Sequence, residues 1–215
     1  MKPLVMTALG ILLILCASVS NTQAADFDFY VLALSWSPDY CAVNGAGDPQ
    51  QCGSGKRLGF VLHGLWPQNN RGYPSNCTSE KLPGAVKARY QGLYPSEALF
   101  THEWEKHGTC SRLTPEQYLS LSKRLKESVA IPAEFRAPPQ PIRVTTVQFK
   151  QALMAVNPNL GDSGLIVFCS GSGRFLREVF VCFTRDGKPT ACSRELHTRA
   201  ARSCGRPDFL VRNVR

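Results

Sequence analysis

At 215 residues the chain has room for one well-buried domain and not, once a leader is removed, for two of ordinary size. Its formal net charge is +9, and Arg194, Arg199, Arg202, Arg206, Arg212 and Arg215 crowd the C-terminal end, a distribution that favours polyanions such as nucleic acids, anionic lipids or glycans. A scattered set of arginines is also what an ordinary solvated face looks like, so charge suggests a partner and names no reaction.

Met1-Lys2, an apolar run from Leu9 to Ala17 and the small residues around Gln23-Ala24-Ala25 have the zones of a secretory signal peptide, with cleavage expected after Ala24 or Ala25. The expected organisation is therefore a leader over 1–25 and one domain over 26–215. The apolar run is too short for a membrane span and no later segment replaces it, so no membrane insertion is expected after leader removal. Lipidation at Cys16 is disfavoured by Leu15, where a lipid-attachment signal needs a small residue. Losing Cys16 leaves eight of nine cysteines, an even number that reads as four disulfides in a secreted or periplasmic protein. Eight cysteines allow about 105 pairings. Zinc is a poor reading of them because the chain holds no Cys-x-x-Cys pair.

Phe27 to Trp36 is apolar on both alternating faces, Tyr30, Leu32, Leu34 and Trp36 on one and Phe29, Val31 and Ala33 on the other, the pattern of a strand buried on both sides. A polar loop bounded by Cys41 and Cys52 follows, and then a short strand, Leu58 to Leu62, that delivers His63 at its end. Residues 69–84 read as loop, with a possible glycosylation acceptor at Asn76-Cys77-Thr78. Thr114-Pro115-Glu116-Gln117 predicts a capped helix running to about Val129. A proline-rich connection over 132–141 precedes a helix whose apolar face is Phe149, Ala152, Leu153 and Val156, closed by Asn157-Pro158. Leu165–Cys169 and Phe175–Thr184 read as strands, and Asp186-Gly187 as a hairpin turn that sets Cys182 nearly opposite Cys192, at a distance suited to a disulfide. Strands and helices without regular alternation point to an α+β fold: a central antiparallel sheet with helices packed on it, stapled by disulfides.

Four histidines are present, two of them in His102-Glu103-Trp104-Glu105-Lys106-His107-Gly108-Thr109-Cys110. At about 100° per residue, His102, Lys106, Glu103 and His107 fall at roughly 0°, 40°, 100° and 140°, on one helix face. Trp104 and Glu105 point elsewhere. That face offers two imidazoles, an ammonium and a carboxylate, the groups that phosphoryl chemistry needs when no metal takes part: a base, an acid and a cation beside the developing charge. The metalloprotease alternative fails on spacing, since that motif needs its second histidine four residues after the first, where Lys106 stands. Alone, the segment is also compatible with a charged surface helix. His63 changes the balance, because Gly64 beside it permits close backbone approach and Trp66 offers a face for base stacking.

At His63-Gly64-Leu65-Trp66-Pro67 and at His102 to Cys110 the sequence resembles the ribonuclease T2 family, the exported acid ribonucleases of bacteria, fungi, plants and animals. Trp36, Pro38, Tyr40 and Cys41 look like that family's first strand and turn. The resemblance implies an α+β endoribonuclease that cleaves single-stranded RNA with little base specificity by transesterification to 2',3'-cyclic phosphate ends, and that spares DNA, which lacks the attacking hydroxyl. It implies that His63 and His107 are the acid and base, in an order left open, that His102 binds phosphate, and that Glu103 and Lys106 stabilise the pentacovalent state. Trp66, Gln68 and Tyr73 would bind substrate, Trp66 and Tyr73 as a first base pocket, although Tyr73 could equally be a loop aromatic packing locally. Some members carry an acidic residue at the position of Gln68, so purine preference does not transfer. A second base pocket would lie near Leu99-Phe100. The resemblance further implies the bridges Cys77–Cys110, Cys169–Cys204 and Cys41–Cys52. His197, outside both signatures, is expected at the surface. No metal, no cofactor and no obligatory protein partner are expected; RNA is the partner, and a monomer the expected state.

Two rivals remain at this level. One is a cationic exported binding protein without catalysis, which the intact His63, Glu103, Lys106 and His107 disfavour. The other is a metal-dependent nuclease or phosphatase, disfavoured by the lack of a clustered Asp ligand set.

Overall fold

The computed structural model describes residues 26–214, so the leader expected over 1–25 lies outside the described residues. In chain order the elements are β1 (Phe29–Trp36), α1 (Ser37–Asn44), α2 (Pro49–Cys52), β2 (Phe60–Gln68), α3 (Gly84–Arg89), α4 (Glu97–Lys106), α5 (Pro115–Ser128), α6 (Ala133–Arg136), β3 (Ile142–Val144), α7 (Thr146–Val156), β4 (Leu165–Ser170), β5 (Phe175–Phe183), α8 (Arg194–Ser203) and β6 (Phe209–Val211). One mixed sheet runs β2-β1-β5-β6-β3, with β4 on the other side of β5. Its pairings are antiparallel except for a single parallel contact, Phe175 with Leu210, between β5 and β6. The fold is α+β, as the sequence implies.

The two-faced reading of β1 holds. Tyr30, Leu32, Leu34 and Trp36 enter a large core with Phe100 and Trp104 of α4, Tyr118, Leu119 and Leu125 of α5, and Phe149 and Leu153 of α7. Phe29, Val31 and Ala33 face a second core made with Ile166, Phe168 and Phe180, which α8 closes through Leu196 and Ala200. Period-two alternation along β1 thus serves two helical layers at once.

Local signals explain the helix starts. Thr114 and Gln117 form the expected capping box on α5, and Thr145 with Gln148 forms a second one on α7. In α7 Phe149 and Leu153 are buried, but Val156, expected on the same face, is 44% exposed. Val156 is the last helical residue, and the chain turns away at Asn157. The stretch between Cys41 and Cys52, expected as loop, carries α1 and α2 instead. Pro38 and Pro49 stand in first turns, where a missing N–H costs nothing, and the Asp48 side chain accepts a hydrogen bond from the Gln51 amide. The same residue types that signal a turn here start helices. The proline-rich connection over 132–141 likewise contains the single turn α6.

All eight cysteines of the described residues are bridged, as Cys41–Cys52, Cys77–Cys110, Cys169–Cys204 and Cys182–Cys192. The hairpin at Asp186-Gly187 closes with the Thr184 amide on the Lys188 carbonyl at 2.8 Å and the Thr190 amide on the Cys182 carbonyl at 3.0 Å. Its second arm reduces to one bridge, Phe183 with Pro189. Pro189 has no N–H to give the ladder, and the Cys182–Cys192 disulfide joins the arms beside the remaining hydrogen bonds.

Candidate active site

The sequence reading puts His63 where a strand ends; in the structure it lies in the middle of β2. The register pairs Ala33 with Gly64 and Leu34 with Leu62, leaving His63 without an opposite residue. This is a β-bulge, and its cause is in the side chains. Leu62 and Leu65 are both fully buried in the large core, yet three residues apart on a regular strand they would face opposite ways. One extra residue restores the phase, and that residue is His63, re-aimed by the bulge toward the opposite sheet face. Pro67 is tolerated in the strand because β2 is the edge of the sheet.

The second histidine segment is held by α4. Ser96 caps the helix, accepting from the Leu99 amide at 3.4 Å, and Glu97 sits in its first turn. Trp104 anchors the far face in the core and donates from Nε1 to the Glu80 carbonyl at 2.9 Å. Glu105 turns to solvent and pairs with Lys81 at 2.8 Å. His102, Glu103, Lys106 and His107 consequently line one cleft, the grouping that helical periodicity implies, together with His63, Trp66, Gln68, Tyr73, Phe180 and Leu196.

The cleft is tightly cross-linked. Trp66 Nε1 donates to Glu103 Oε2 at 2.6 Å, and Glu103 Oε1 lies 3.9 Å from His63 Nε2. The Trp66 ring has His107 tilted against it at 5.2 Å and His63 edge-on at 4.9 Å. The Tyr73 ring, 47% exposed, lies 6.0 Å from that of His107. The Tyr73 loop is tied at both ends: the Gly72 amide donates to Glu195 of α8, the Asn76 amide donates to the Lys106 carbonyl at 2.8 Å, and Cys77 is bridged to Cys110 just beyond α4. Gln68 is buried with its amide donating to the Pro67 carbonyl at 3.2 Å. A second cavity, about 640 Å³ in volume, opens on the far side of His63 and His102, lined by Tyr40, Gln50, Ser96 and Leu99 among others. Of the pair expected near a second base pocket, only Leu99 lines it; Phe100 is buried in the core. His197, expected at the surface, is half-buried, its Nε2 at 3.0 Å from the Ser163 carbonyl.

Electrostatics separate the two buried-side histidines. Burial works against charge on His63, but the Glu178 hydrogen bond and the Glu103 and Glu178 carboxylates outweigh it and hold its imidazole above the ordinary value. His107 is pushed down to about 3 by burial, with Lys106, His102 and His63 adding positive charge. His102 is lowered by burial and by Lys106. Burial raises the Glu103 carboxyl to about 7, against the pull of His63, the Trp66 hydrogen bond and Lys106. Residues from distant parts of the sequence complete the site and escape sequence reasoning: Glu178 of β5, Ser35 of β1 and Phe180. The signal for Glu178 is a charged Arg177-Glu178 pair inside an otherwise apolar strand. Among the described residues no group of three or more His, Cys, Asp or Glu is placed to hold a metal ion, and no helix is long and apolar enough to cross a membrane.

A sheet-edge cleft in which three imidazoles, a carboxyl and an ammonium converge beside an aromatic floor has the groups that acid–base processing of a polyanion needs. The model of the ribonuclease T2 family matches residues 27–192, and the chain belongs to that family of RNA-cleaving enzymes. It is 43% identical over 204 residues to a ribonuclease of Aeromonas hydrophila, covering 90% of this chain and 89% of the relative. A more local match, 38% identity over 115 residues, joins it to the extracellular ribonuclease LE of Solanum lycopersicum, over 45% of this chain and 47% of that protein. Among solved structures, ribonuclease MC1 from bitter gourd seeds superposes with a TM-score of 0.65 at 26% identity, over 78% of this chain and 95% of that one. A variant of MC1 in complex with 5'-UMP gives 0.67 at 25% identity, over 86% and 98%.

Proposed function

We propose that this endoribonuclease cleaves single-stranded RNA by transesterification to 2',3'-cyclic phosphate ends, with His107 as general base and His63 as general acid. The observation that carries the assignment is the opposite setting of the two imidazoles across one cleft: His107 is buried beside Lys106 with Nδ1 unpartnered among the described residues, which favours its neutral form, while His63 Nδ1 meets the Glu178 carboxylate at 3.3 Å, which favours its protonated form. With Nδ1 buried, Nε2 of His107 is the nitrogen left for substrate. In the reaction, His107 takes the proton of the ribose 2'-hydroxyl, O2' bonds to phosphorus, the P–O5' bond breaks, and His63 protonates O5'. Lys106 supplies a cation to the phosphorane. Glu103, raised to about 7, carries a proton across the acid range and donates it as a hydrogen bond to a phosphoryl oxygen. His102 binds the phosphate from the solvent side. The cavities on either side of His63 and His102 suit the two nucleotides flanking the bond, Trp66 and Tyr73 lining one. Stacking there reads little base identity. The MC1 complex with 5'-UMP supports a nucleotide ligand for this fold.

The two residue pairs need no metal, and the proposal includes none. The leader-like N-terminus and four disulfides support export to an oxidising compartment, outside the cell or in the periplasm. The deciding experiment incubates oxidised protein with single-stranded RNA and matched DNA in EDTA and weighs the product ends. RNA-only cleavage leaving cyclic phosphates is expected; cleavage of DNA, or activity that returns only with added metal, overturns the reading.

The shifts set a pH profile. The active form needs His107 neutral and His63 protonated, so kcat/KM is expected to hold across the acid range, fall on an acid limb near pH 3 and fall again above the ordinary imidazole value. Initial rates on a short RNA from pH 3 to 9 check this, and a profile silent below pH 5 contradicts it.

A further inference from the structure

Glu178 lies buried in the middle of an apolar strand, where a carboxylate is costly unless it is paired. Its two oxygens are used separately. Oε1 accepts from Arg177 Nε at 3.1 Å and from the guanidinium NH2 at 2.8 Å, and Arg177 is itself spread over the Phe168 ring at 5.4 Å. Oε2 points the other way and reaches His63 Nδ1 at 3.3 Å. Two bulges produce this meeting. The β2 bulge turns His63 toward the sheet face on which β1 presents Ser35, and Ser35 pairs directly with Glu178 in the β1–β5 register. A second bulge between β4 and β5 leaves Arg177 unpaired beside Glu178, so the guanidinium can fold back onto it.

We propose that Glu178 is a positioning residue of the acid–base pair, its Arg177-locked carboxylate holding His63 with the proton on Nδ1 and with Nε2 turned into the cleft. An ionised carboxylate only accepts, so the hydrogen between His63 and Glu178 belongs to the imidazole. Ser35 Oγ, 3.2 Å from the same nitrogen, can accept from it too and confines the ring further. With Nδ1 held, Nε2 is the nitrogen left for the leaving oxygen, on the side where Glu103 Oε1 stands 3.9 Å away. Burial alone would raise Glu178, but the His63 bond and Arg177 bring it below the usual carboxylate value, so it stays charged over the working range. The groups facing His63 are Glu178, Arg177 and Ser35 from the sheet, and Glu103, His102 and His107 from α4 and its end. Only Glu178 binds Nδ1 with a charge. This role rests on the two-histidine reading of the site.

The test compares Glu178→Gln and Glu178→Asp with the wild type, reading the His63 titration midpoint by NMR and the pH profile of RNA cleavage, with thermal unfolding as the check on folding. In Glu178→Gln the His63 midpoint and the alkaline limb are expected to move together to lower pH by about one unit, with kcat down roughly tenfold and KM little changed. Glu178→Asp, which keeps the charge, restores part of the shift. A His63→Ala variant run alongside separates the two ideas. Wild-type rate in His63→Ala overturns the two-histidine reading and this role with it. An inactive His63→Ala beside an unmoved midpoint and limb in Glu178→Gln overturns the role of Glu178 alone.

Discussion

Replacing His107 with Gln lowers kcat/KM for RNA cleavage by about 10³-fold, the size of a lost general base, while leaving the protein folded. Gln keeps most of the ring's volume against Trp66 and Tyr73 but cannot take a proton. Substrate chemistry then separates base from acid. An activated substrate such as uridine 3'-(4-nitrophenyl phosphate) has a leaving group that needs no protonation, so it rescues a lost acid and not a lost base. His63→Ala is expected to recover most of its rate on that substrate, and His107→Gln none. The reverse pattern would exchange the two roles. Stability provides a second readout, with its sign fixed by the shift. The folded value of His107, about 3, lies below that of the unfolded imidazole, so the neutral ring contributes stability above the ordinary value near 6.5 and loses it as pH falls toward 3. The wild type should therefore weaken relative to His107→Gln across that window. Equal acid profiles for the two proteins would mean that the ring is not held neutral by the fold.

The half of this site carried by α4 is legible in the sequence because a helix has a fixed period. Once residues 102–107 are helical, His102, Glu103, Lys106 and His107 must share a face and Trp104 must leave it. Capping boxes are legible for the same reason: Thr114 with Gln117 is a local arrangement of side chain and amide. The half carried by the sheet is harder to read. His63 ends the strand when the apolar run is read as Leu58 to Leu62, and only the joint burial of Leu62 and Leu65 reveals the bulge that keeps the strand going. That burial is a tertiary fact, although a three-residue spacing of core leucines in a strand is its trace in the sequence. Glu178 is harder still, being brought to His63 by a register between strands more than a hundred residues apart. α8 has local signals of its own, since Ser193 caps it and Leu196 with Ala200 forms its buried stripe, but the surrounding arginines resemble an ordinary solvated surface. α1 and α2 fail for the opposite reason, since Pro and Asp signal turns and helix starts alike.

Gly64→Ala is expected to reduce kcat/KM by about 10²-fold by displacing the residues around it, although Gly64 itself offers no side chain to the substrate. A Cβ at Gly64 would be built onto Glu103 Oε2 and Trp66 Nε1, with Glu103 Cδ at 2.8 Å. Those are the two partners of the 2.6 Å hydrogen bond that ties β2 to α4. A flexible side chain at the surface could swing aside, but Glu103 is 1% exposed, and the Trp66 ring is braced by His63, His107 and Phe180. Either the bond breaks, which strands a buried carboxyl and frees the indole, or β2 moves away from α4. In both cases the spacing of His63, on the strand, from His107, on the helix end, changes by a good part of an ångström, and in-line transfer depends on that spacing. Overpacking of this kind also costs about 1–3 kcal/mol of stability. Gly84→Ala is the control, because a Cβ there meets nothing within 4 Å at the start of α3; it should leave activity unchanged and stability within about 0.5 kcal/mol. Steady-state rates on a short RNA and urea unfolding of the two variants decide the matter. A Gly64→Ala protein with wild-type rate would mean that the strand and α4 can separate without consequence, and that the Trp66–Glu103 contact does not set the distance between the two histidines.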